Sequence, residues 1–472
     1  MNSITEKYKE ISNDSFRDRL ATVDAKGRRN WIFPQKPKGR LYSIRTWVSW
    51  FFFILFFSLP FIYVNDRPLF MFNVTQARFI LFGKVFWPQD FFLFGLGMIT
   101  FIVFIILFTA AFGRLFCGWV CPQTIFMEMF FRKIEYWIEG DGASQRLLAK
   151  APWTTNKVIK KFSKHIIFYL ASFVIANFFL AYIISSRELW KIITEPVQLH
   201  IGGLISLAVF SGIFYAVYAW FREQACTVVC PYGRLQGVLL DRNSMIVAYD
   251  SNRGEPRTKF RKNQGQDTGD CIDCLQCIKV CPTGIDIRNG TQMECIGCTA
   301  CIDACDNIME KINRPLGLIR YASQNGIEQG EKLHYTSRMR LYTLLLSVLL
   351  AILSILLFTR KDVDATIMRT PGILYQLKGT DSVSNLYNIK VVNKTDHHVP
   401  LKLKLENMSG SIQIIGGETI NVKDEGQGSG TFFIWIARSK IHTRKTELEI
   451  GLYESDKRID IIKTNFLGPV TE

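Results

Sequence analysis

The sequence predicts a multidomain membrane protein with a five-helix transmembrane α bundle, a cysteine-rich α+β insert and a C-terminal all-β sandwich. Three observations predict this. Five segments are apolar over about 20 residues, the length that crosses a bilayer as a helix. All twelve cysteines lie between Cys117 and Cys305, in short-spaced groups. Beyond residue 359, β-branched and aromatic runs alternate with turn residues.

The apolar segments predict a four-helix membrane domain over residues 47–240 and a fifth helix over 341–358. The five segments are 47–64, 91–112, 166–184, 201–221 and 341–358. The first contains Pro60, which a membrane helix can tolerate. One such segment could be a buried helix of a soluble protein, but five make that alternative weak.

Lysine and arginine alternate between rich and poor loops, which predicts the orientation. The N-terminal tail of residues 1–46 and loops 113–165 and 222–340 are rich in them, whereas 65–90 and 185–200 are poor. Rich loops stay inside. We therefore expect a multi-pass protein of the bacterial cytoplasmic (inner) membrane with a cytoplasmic N-terminus. The loops rich in lysine and arginine also account for the net charge of +16. No basic run with interleaved aromatics indicates nucleic-acid binding.

Eight cysteines form two runs with the spacing of two-cluster bacterial ferredoxins. The run from Cys271 to Cys281 has two, two and three intervening residues and ends in Pro282; the run from Cys295 to Cys305 repeats it, with Asp306 after the last cysteine. In such pairs the fourth cysteine of each run ligates the other cluster. The pattern predicts a cytoplasmic ferredoxin-like domain over residues 241–340.

The predicted ligand sets therefore cross between the runs. One [4Fe–4S] cluster takes Cys271, Cys274, Cys277 and Cys305, and the other takes Cys295, Cys298, Cys301 and Cys281. The alternative is two zinc sites with four cysteines each, but zinc sites usually separate two Cys-x2-Cys pairs by a longer loop.

The remaining cysteines form two Cys-x3-Cys-Pro motifs, Cys117–Cys121 and Cys226–Cys230. Each follows an outside-to-inside helix, which suggests two parallel halves of one bundle. Residues four apart share a helix face, so the two pairs would form one four-thiolate site. Soft thiolates suit Cu(I), zinc or a further iron–sulfur cluster. The alternative is that these cysteines only pack at an interface.

Residues 359–472 predict an exported all-β domain. The runs 387–392, 401–405, 412–415, 432–436 and 447–452 are β-branched or aromatic, and Asn, Gly, Asp and Lys turns separate them. Roughly seven strands in about 100 residues suggest an immunoglobulin-like sandwich without its usual disulfide. A cysteine-free domain also suits an oxidising compartment.

Together these motifs resemble the family of cytochrome c oxidase accessory proteins called CcoG, FixG or RdxA. The similarity covers nearly the whole chain. It is carried by Gly-Arg-Leu-Phe-Cys-Gly-Trp-Val-Cys-Pro-Gln-Thr at 113–124, Cys-Thr-Val-Val-Cys-Pro-Tyr-Gly-Arg at 226–234, and Phe-Gly-Lys-Val-Phe-Trp-Pro-Gln-Asp at 82–90. The double ferredoxin run, the fifth helix and the terminal β domain complete it.

The resemblance implies a cupric reductase, which reduces Cu(II) to Cu(I) during maturation of a cbb-type cytochrome oxidase. It implies copper, oxidase assembly factors, a copper-transporting ATPase and an unidentified electron donor as partners, beside the lipid bilayer. The candidate copper-facing site is Cys117, Cys121, Cys226 and Cys230, because thiolates stabilise Cu(I).

Two alternatives remain open at this point. One is a quinol-linked membrane conduit, similar to the membrane ferredoxin subunits of nitrate reductase systems, that passes electrons to another redox partner. The other is an oxidase assembly scaffold with structural clusters, which the exported domain favours. No catalytic residue is assigned from the sequence.

Overall fold

The computed structural model describes residues 21–23, 26–64, 67–73, 78–87, 90–259, 268–372, 374–378, 381–395, 397–424, 426–454 and 457–469. The chain divides into two compact units. The membrane–cluster unit comprises Met1–Gly83 and Phe91–Leu353, and the β unit comprises Lys84–Asp90 and Ser354–Glu472. The predicted four-helix domain and the predicted cluster domain thus share one unit. Residues 1–20, 24 and 25 of the predicted N-terminal tail lie outside the described residues.

The five predicted apolar helices are present. They are α1 (Arg40–Ser58), α2 (Phe91–Phe112), α3 (Thr155–Ile184), α4 (Ile201–Ala216) and α5 (Ser337–Phe358). α4 continues as a π-helical turn over Val217–Phe221. In the most apolar window of α5, no residue is buried inside the protein. Apolar side chains around the whole helix are stable in lipid but costly in water.

The first helix ends at Ser58, before the predicted end at residue 64. A 3₁₀ turn over Leu59–Phe61 follows α1, and Pro60 lies inside it. Proline cannot donate the hydrogen bond that an α-helix needs at this position. The next residues, Tyr63–Val64, are not helical and pair antiparallel with Arg67–Pro68.

An aromatic core holds the bundle together. The rings of Phe131 and Tyr218 stack with centroids 4.4 Å apart, and Phe168 meets Phe131 edge-on at 4.9 Å. Phe53 of α1 packs against Phe126 at 5.3 Å. These contacts join α1, α3 and α4 to the segment that follows the first Cys-x3-Cys-Pro motif.

Shorter elements connect the spans. The helices of this unit are Leu115–Trp119, Pro122–Thr124, Arg132–Ile138, Gly142–Lys150, Ser186–Thr194, Pro231–Leu239, Ser251–Gly254, Gln276–Lys279, Ala300–Lys311 and Gln324–Glu328, with π-helical segments Ile125–Phe131 and Ala225–Val229 and 3₁₀ turns Val197–Leu199 and Ile287–Asn289. Two further antiparallel strand pairs join Phe70–Asn73 to Arg78–Leu81 and Ile246–Tyr249 to Ile319–Ala322. The second strand pair and the helix Ala300–Lys311 frame the cysteine-rich α+β insert.

In its described residues, the β unit contains nine strands after α5. They are β1 (Val363–Arg369), β2 (Gln376–Lys378), β3 (Ser382–Asn393), β4 (Val399–Leu405), β5 (Ser411–Ile414), β6 (Ile420–Val422), β7 (Gln427–Ala437), β8 (Lys445–Glu454) and β9 (Lys457–Leu467). One antiparallel sheet has the order β5–β7–β3–β1, with β2 also on β3, and the other has the order β6–β4–β8–β9. This is the predicted all-β sandwich.

The two sheets enclose one apolar core. Tyr387 and Phe432 are fully buried and their rings stack at 5.6 Å. The Tyr387 hydroxyl donates to the Asn465 carbonyl on the opposite sheet at 2.9 Å. Four of the five predicted runs fall within strands, and the run 412–415 extends one residue beyond β5. β1, β2, β6 and β9 were not predicted, because they are short or interrupted by charged residues.

Candidate functional site

The two ferredoxin-type runs adopt the same backbone conformation. Asp273 and Leu275 in the first run, and Gly297 and Thr299 in the second, have φ values between 49° and 66°. These are equivalent positions, directly before and after the second cysteine of each run. Non-glycine residues seldom adopt this left-handed conformation, and such residues cluster at functional sites. The repeated turn therefore fits a backbone that wraps a bound group.

A cavity brings together the four thiols assigned to the second cluster. A cavity of about 20 Å³ is lined by Cys281, Cys295, Cys298 and Cys301, and also by Cys277 of the other predicted set. Burial raises the pKa of Cys301 well above its usual value, and Cys298, Cys295 and Cys281 raise it further. Four buried thiolates repel one another, so a cationic metal core is needed to stabilise them.

The thiols assigned to the first cluster also lie together. Cys271, Cys277 and Cys305 are 7–9% exposed and belong to one buried core. Burial raises the pKa of Cys305 to about 12, and the thiols of Cys277, Cys274 and Cys271 act in the same direction. The donor set in both places fits [4Fe–4S] clusters, although the crossed assignment itself remains a prediction.

The two Cys-x3-Cys-Pro motifs fold alike. Cys121 (φ −58°, ψ 124°) and Cys230 (φ −67°, ψ 113°) each precede a proline that begins a new helix. The N–H of Cys121 donates to the carbonyl of Phe116 at 2.9 Å, and that of Cys230 donates to Ala225 at 2.8 Å. The helix therefore ends before the second cysteine, so the pair does not lie on one continuous helix face as expected. The matching geometry supports the predicted duplication.

The four thiols of these motifs come together from the two halves. Burial raises the pKa of Cys117 to about 12, and the neighbouring thiols of Cys121 and Cys230 contribute. Burial raises the pKa of Cys226 to about 12 as well, with contributions from Cys121 and Cys117. The fully buried Gln236 accepts a hydrogen bond from Cys117 at 3.1 Å. We call these four cysteines the membrane-surface thiol site.

In the described part of the chain, no three His, Cys, Asp or Glu side chains converge closely enough to hold a single metal ion. A mononuclear site requires thiolates about 2.3 Å from one metal. A cubane cluster instead attaches each thiolate to a different iron atom, so its ligands are farther apart.

The membrane-surface thiol site contacts the loop of the second cluster. A Cβ atom built on Gly118 would lie 2.7 Å from the Ile296 carbonyl oxygen and from the Gly297 carbonyl. Arg114 donates to the carbonyls of Gly233 at 2.6 Å and Cys295 at 3.2 Å. One buried arginine therefore joins the second motif to the loop of the second cluster.

Further contacts fix the cluster insert on the bundle. Asp303 accepts hydrogen bonds from the N–H groups of Leu41 at 3.1 Å and Tyr42 at 2.7 Å, at the start of α1. Arg45, 3% exposed, donates to the Gly118 carbonyl at 2.7 Å. Its positive charge lowers the pKa of Cys298, although burial dominates and raises that pKa to about 11. Cysteine spacing does not indicate a role for Arg45 or Arg114, although Arg114 lies in the segment 113–124 that carries the family resemblance.

A buried ion network lies beside the site. Arg222 forms two hydrogen bonds with the carboxylate of Glu135, at 2.7 and 3.0 Å, and both side chains are at most 3% exposed. The same network includes Glu128–Arg132 at 2.9 Å, Lys164–Glu139 at 3.0 Å and Arg29–Glu223 at 2.9 Å. The charges compensate one another, so the network fixes the segment between the first motif and α3.

Asp306, which replaces the expected proline, has a structural partner. Its carboxylate accepts a hydrogen bond from the Gly317 N–H at 2.8 Å. This hydrogen bond therefore holds the chain segment that leads to the strand Ile319–Ala322.

Three family models match the chain. A "4Fe-4S binding domain" matches residues 94–140 and a "4Fe-4S dicluster domain" matches residues 221–324. A third model, for the Ig-like fold at the C-terminus of FixG, matches residues 353–469. The first two cover all twelve cysteines between them.

Curated relatives extend over most of the chain. Protein RdxB of Cereibacter sphaeroides is 31% identical over 78% of this chain and 80% of its own length. Protein RdxA of the same organism is 32% identical over 80% and 83%. Nitrogen fixation protein FixG of Rhizobium meliloti is 34% identical over 63% of this chain and 58% of its own length.

Proposed function

The chain belongs to the FixG/RdxA family of membrane iron–sulfur proteins, and on this basis we propose that it transfers single electrons through its clusters to a copper acceptor. The observation that carries the proposal is the backbone contact between the segment of the membrane-surface thiol site and the loop of the second cluster. Gly118, next to Cys117, lies against the Ile296–Gly297 backbone, next to Cys295. Redox centres on touching segments can exchange electrons directly.

The membrane-surface thiol site holds a third [4Fe–4S] cluster in this proposal. One observation supports a cluster over a copper ion. The family model that matches residues 94–140 is described as 4Fe–4S binding, and this stretch contains only two cysteines, Cys117 and Cys121. Cys226 and Cys230 supply the two further ligands that a cubane needs.

Copper enters as the substrate. A [4Fe–4S] cluster held by these cysteines would supply one electron at a time, so that one Cu²⁺ would become Cu⁺ for each cluster returned from the 1+ to the 2+ state. The resemblance to oxidase accessory proteins motivates this acceptor, with oxidase assembly factors and a copper-transporting ATPase as downstream partners. In this proposal the chain lies in the inner membrane. By the positive-inside rule, the clusters are in the cytoplasm and the β unit is in the periplasm.

Anaerobic mixing of the reduced protein with Cu(II) tests the proposal. Loss of cluster reduction should accompany formation of one Cu(I) per electron, measured with a Cu(I) chelator. Free thiols also reduce Cu(II), so the oxidised holoprotein is the control and should form little Cu(I). If Cu(II) leaves the clusters reduced, the copper function is wrong and a structural scaffold is favoured.

A further inference from the structure

A groove of about 380 Å³ lies between α2 and the start of α5. One face of α2 forms its first wall, because the lining residues recur at helical spacing: Phe104, Leu107, Phe108, Ala111 and Phe112. Met339 and Leu346 of α5 form the second wall. Phe104 and Phe112 are each 46% exposed, so the groove opens to the outside of the bundle, where lipid lies.

The groove is polar at one end. Asn243, His334 and Tyr335 line it beside the apolar residues. The Asn243 side-chain oxygen accepts a hydrogen bond from Asn325 at 2.8 Å, which leaves its amide nitrogen as the donor for a ligand. An apolar channel that ends in an amide, an imidazole and a phenol suits a ligand with a polar ring and a long hydrocarbon tail.

The same groove leads towards the second cluster. Phe112 and Met245 line both the groove and a neighbouring cavity that reaches Cys295 and Gly297. Cys295 in turn lines the cavity that contains the thiols of the second cluster. Two cavities that share walls therefore link the groove to a predicted cluster ligand. A site that held only structural lipid would have no need of this connection.

We propose that the groove binds a membrane quinol, which supplies the electrons for the clusters. The inference rests on the proposed electron-transfer function and adds its donor. The quinol loses two electrons and two protons and becomes the quinone. Two [4Fe–4S]²⁺ clusters each accept one electron and become [4Fe–4S]¹⁺. The exposed His334 ring accepts the two protons from the quinol hydroxyls one after the other and passes each of them to water.

The test uses the full chain in phospholipid nanodiscs, mixed anaerobically with a short-chain ubiquinol or menaquinol. Leu346→Trp fills the groove and should slow cluster reduction at least tenfold. Leu345→Trp is the matched control, because Leu345 is 44% exposed on the same helix and does not line the groove. Reduction by dithionite should be equal in all three proteins, which shows that the clusters are intact.

Two results would overturn the quinol site. One is that neither quinol reduces the wild-type clusters, which would leave the groove to phospholipid. The other is that Leu346→Trp and Leu345→Trp react alike. Neither result touches the copper function, because dithionite-reduced protein can still be tested with Cu(II). Conversely, quinol-driven reduction without oxidation by Cu(II) would support the donor and reject the copper acceptor.

Discussion

Gly118 is the position where the structure makes the sharpest prediction. A methyl group there would lie 2.7 Å from three backbone atoms, the Ile296 oxygen and the carbon and oxygen of Gly297, whereas ordinary contact begins at 3.4 Å. Gly118→Ala must therefore move the cluster loop by about 0.7 Å, the difference between these two distances. Backbone atoms cannot rotate out of the way as a flexible side chain can.

The expected cost follows from comparable overpacked sites. Inserting a methyl group into a tightly packed interior costs about 1–3 kcal/mol. Since about 1.4 kcal/mol is a factor of ten, loss of the clusters should accelerate by roughly 5- to 140-fold. The assay follows cluster absorbance of the anaerobically purified protein after addition of an iron chelator and a fixed concentration of guanidinium.

Gly95→Ala is the matched control. A Cβ at Gly95, within α2, meets no atom within 4 Å. Its clusters should be lost at the wild-type rate, within about twofold, since alanine is also the better helix former. If Gly118→Ala loses its clusters no faster than Gly95→Ala, Gly118 does not pack closely against the backbone of Ile296 and Gly297, and the reasoning is refuted.

Two further predictions concern buried charges. Glu135→Gln should destabilise the membrane–cluster unit by about 3–5 kcal/mol, because it leaves Arg222 without its carboxylate. The control Glu188→Gln, in an exposed ion pair, should change the unfolding midpoint little. Equal effects of the two substitutions would refute this prediction. Burial opposes the ionisation of Glu135, but Arg222, Arg132 and Lys164 together outweigh burial and lower its pKa from 4.5. The stabilisation by this ionised carboxylate is therefore present above pH 4.5 and should disappear as the pH falls further in an acid titration. Asp90→Asn should destabilise the β unit by about 3 kcal/mol, since the Asp90 carboxylate pairs with two cations at 2.6 and 2.8 Å; the exposed-pair variant Glu447→Gln should leave its thermal unfolding unchanged.

The features that the sequence predicts well are those with a short-range physical signature. The five spans follow from apolar length alone. The double ferredoxin run predicts its chemistry through spacing; Cys281 lines one cavity with the cysteines of the second run and with Cys277, and the crossed ligand sets stay a prediction. The resemblance to the FixG/RdxA family is also confirmed by the relatives.

Other features depend on contacts between distant segments and have no local signal. Arg114 bridges Gly233 and Cys295, which are 119 and 181 residues away. Nothing in the neighbourhood of either residue indicates such a bridge. Pro60 is a local signal for the end of α1, but membrane helices also tolerate proline. The sequence was therefore compatible both with a helix that ends there and with one that continues. The short strand β6 has only three residues, too few for a recognisable alternation.

The iron and sulfide content of the anaerobically purified chain tests the central claim most directly. Three cubane clusters predict about twelve iron and twelve sulfide atoms per chain, at four of each per cluster. Replacing Cys226 and Cys230 with serine should lower both counts to about eight, because only the membrane-surface thiol site loses ligands. About eight atoms in both proteins, with loss of bound copper in the variant, would instead make that site a copper site, and stoichiometric zinc would contradict the iron–sulfur assignment altogether.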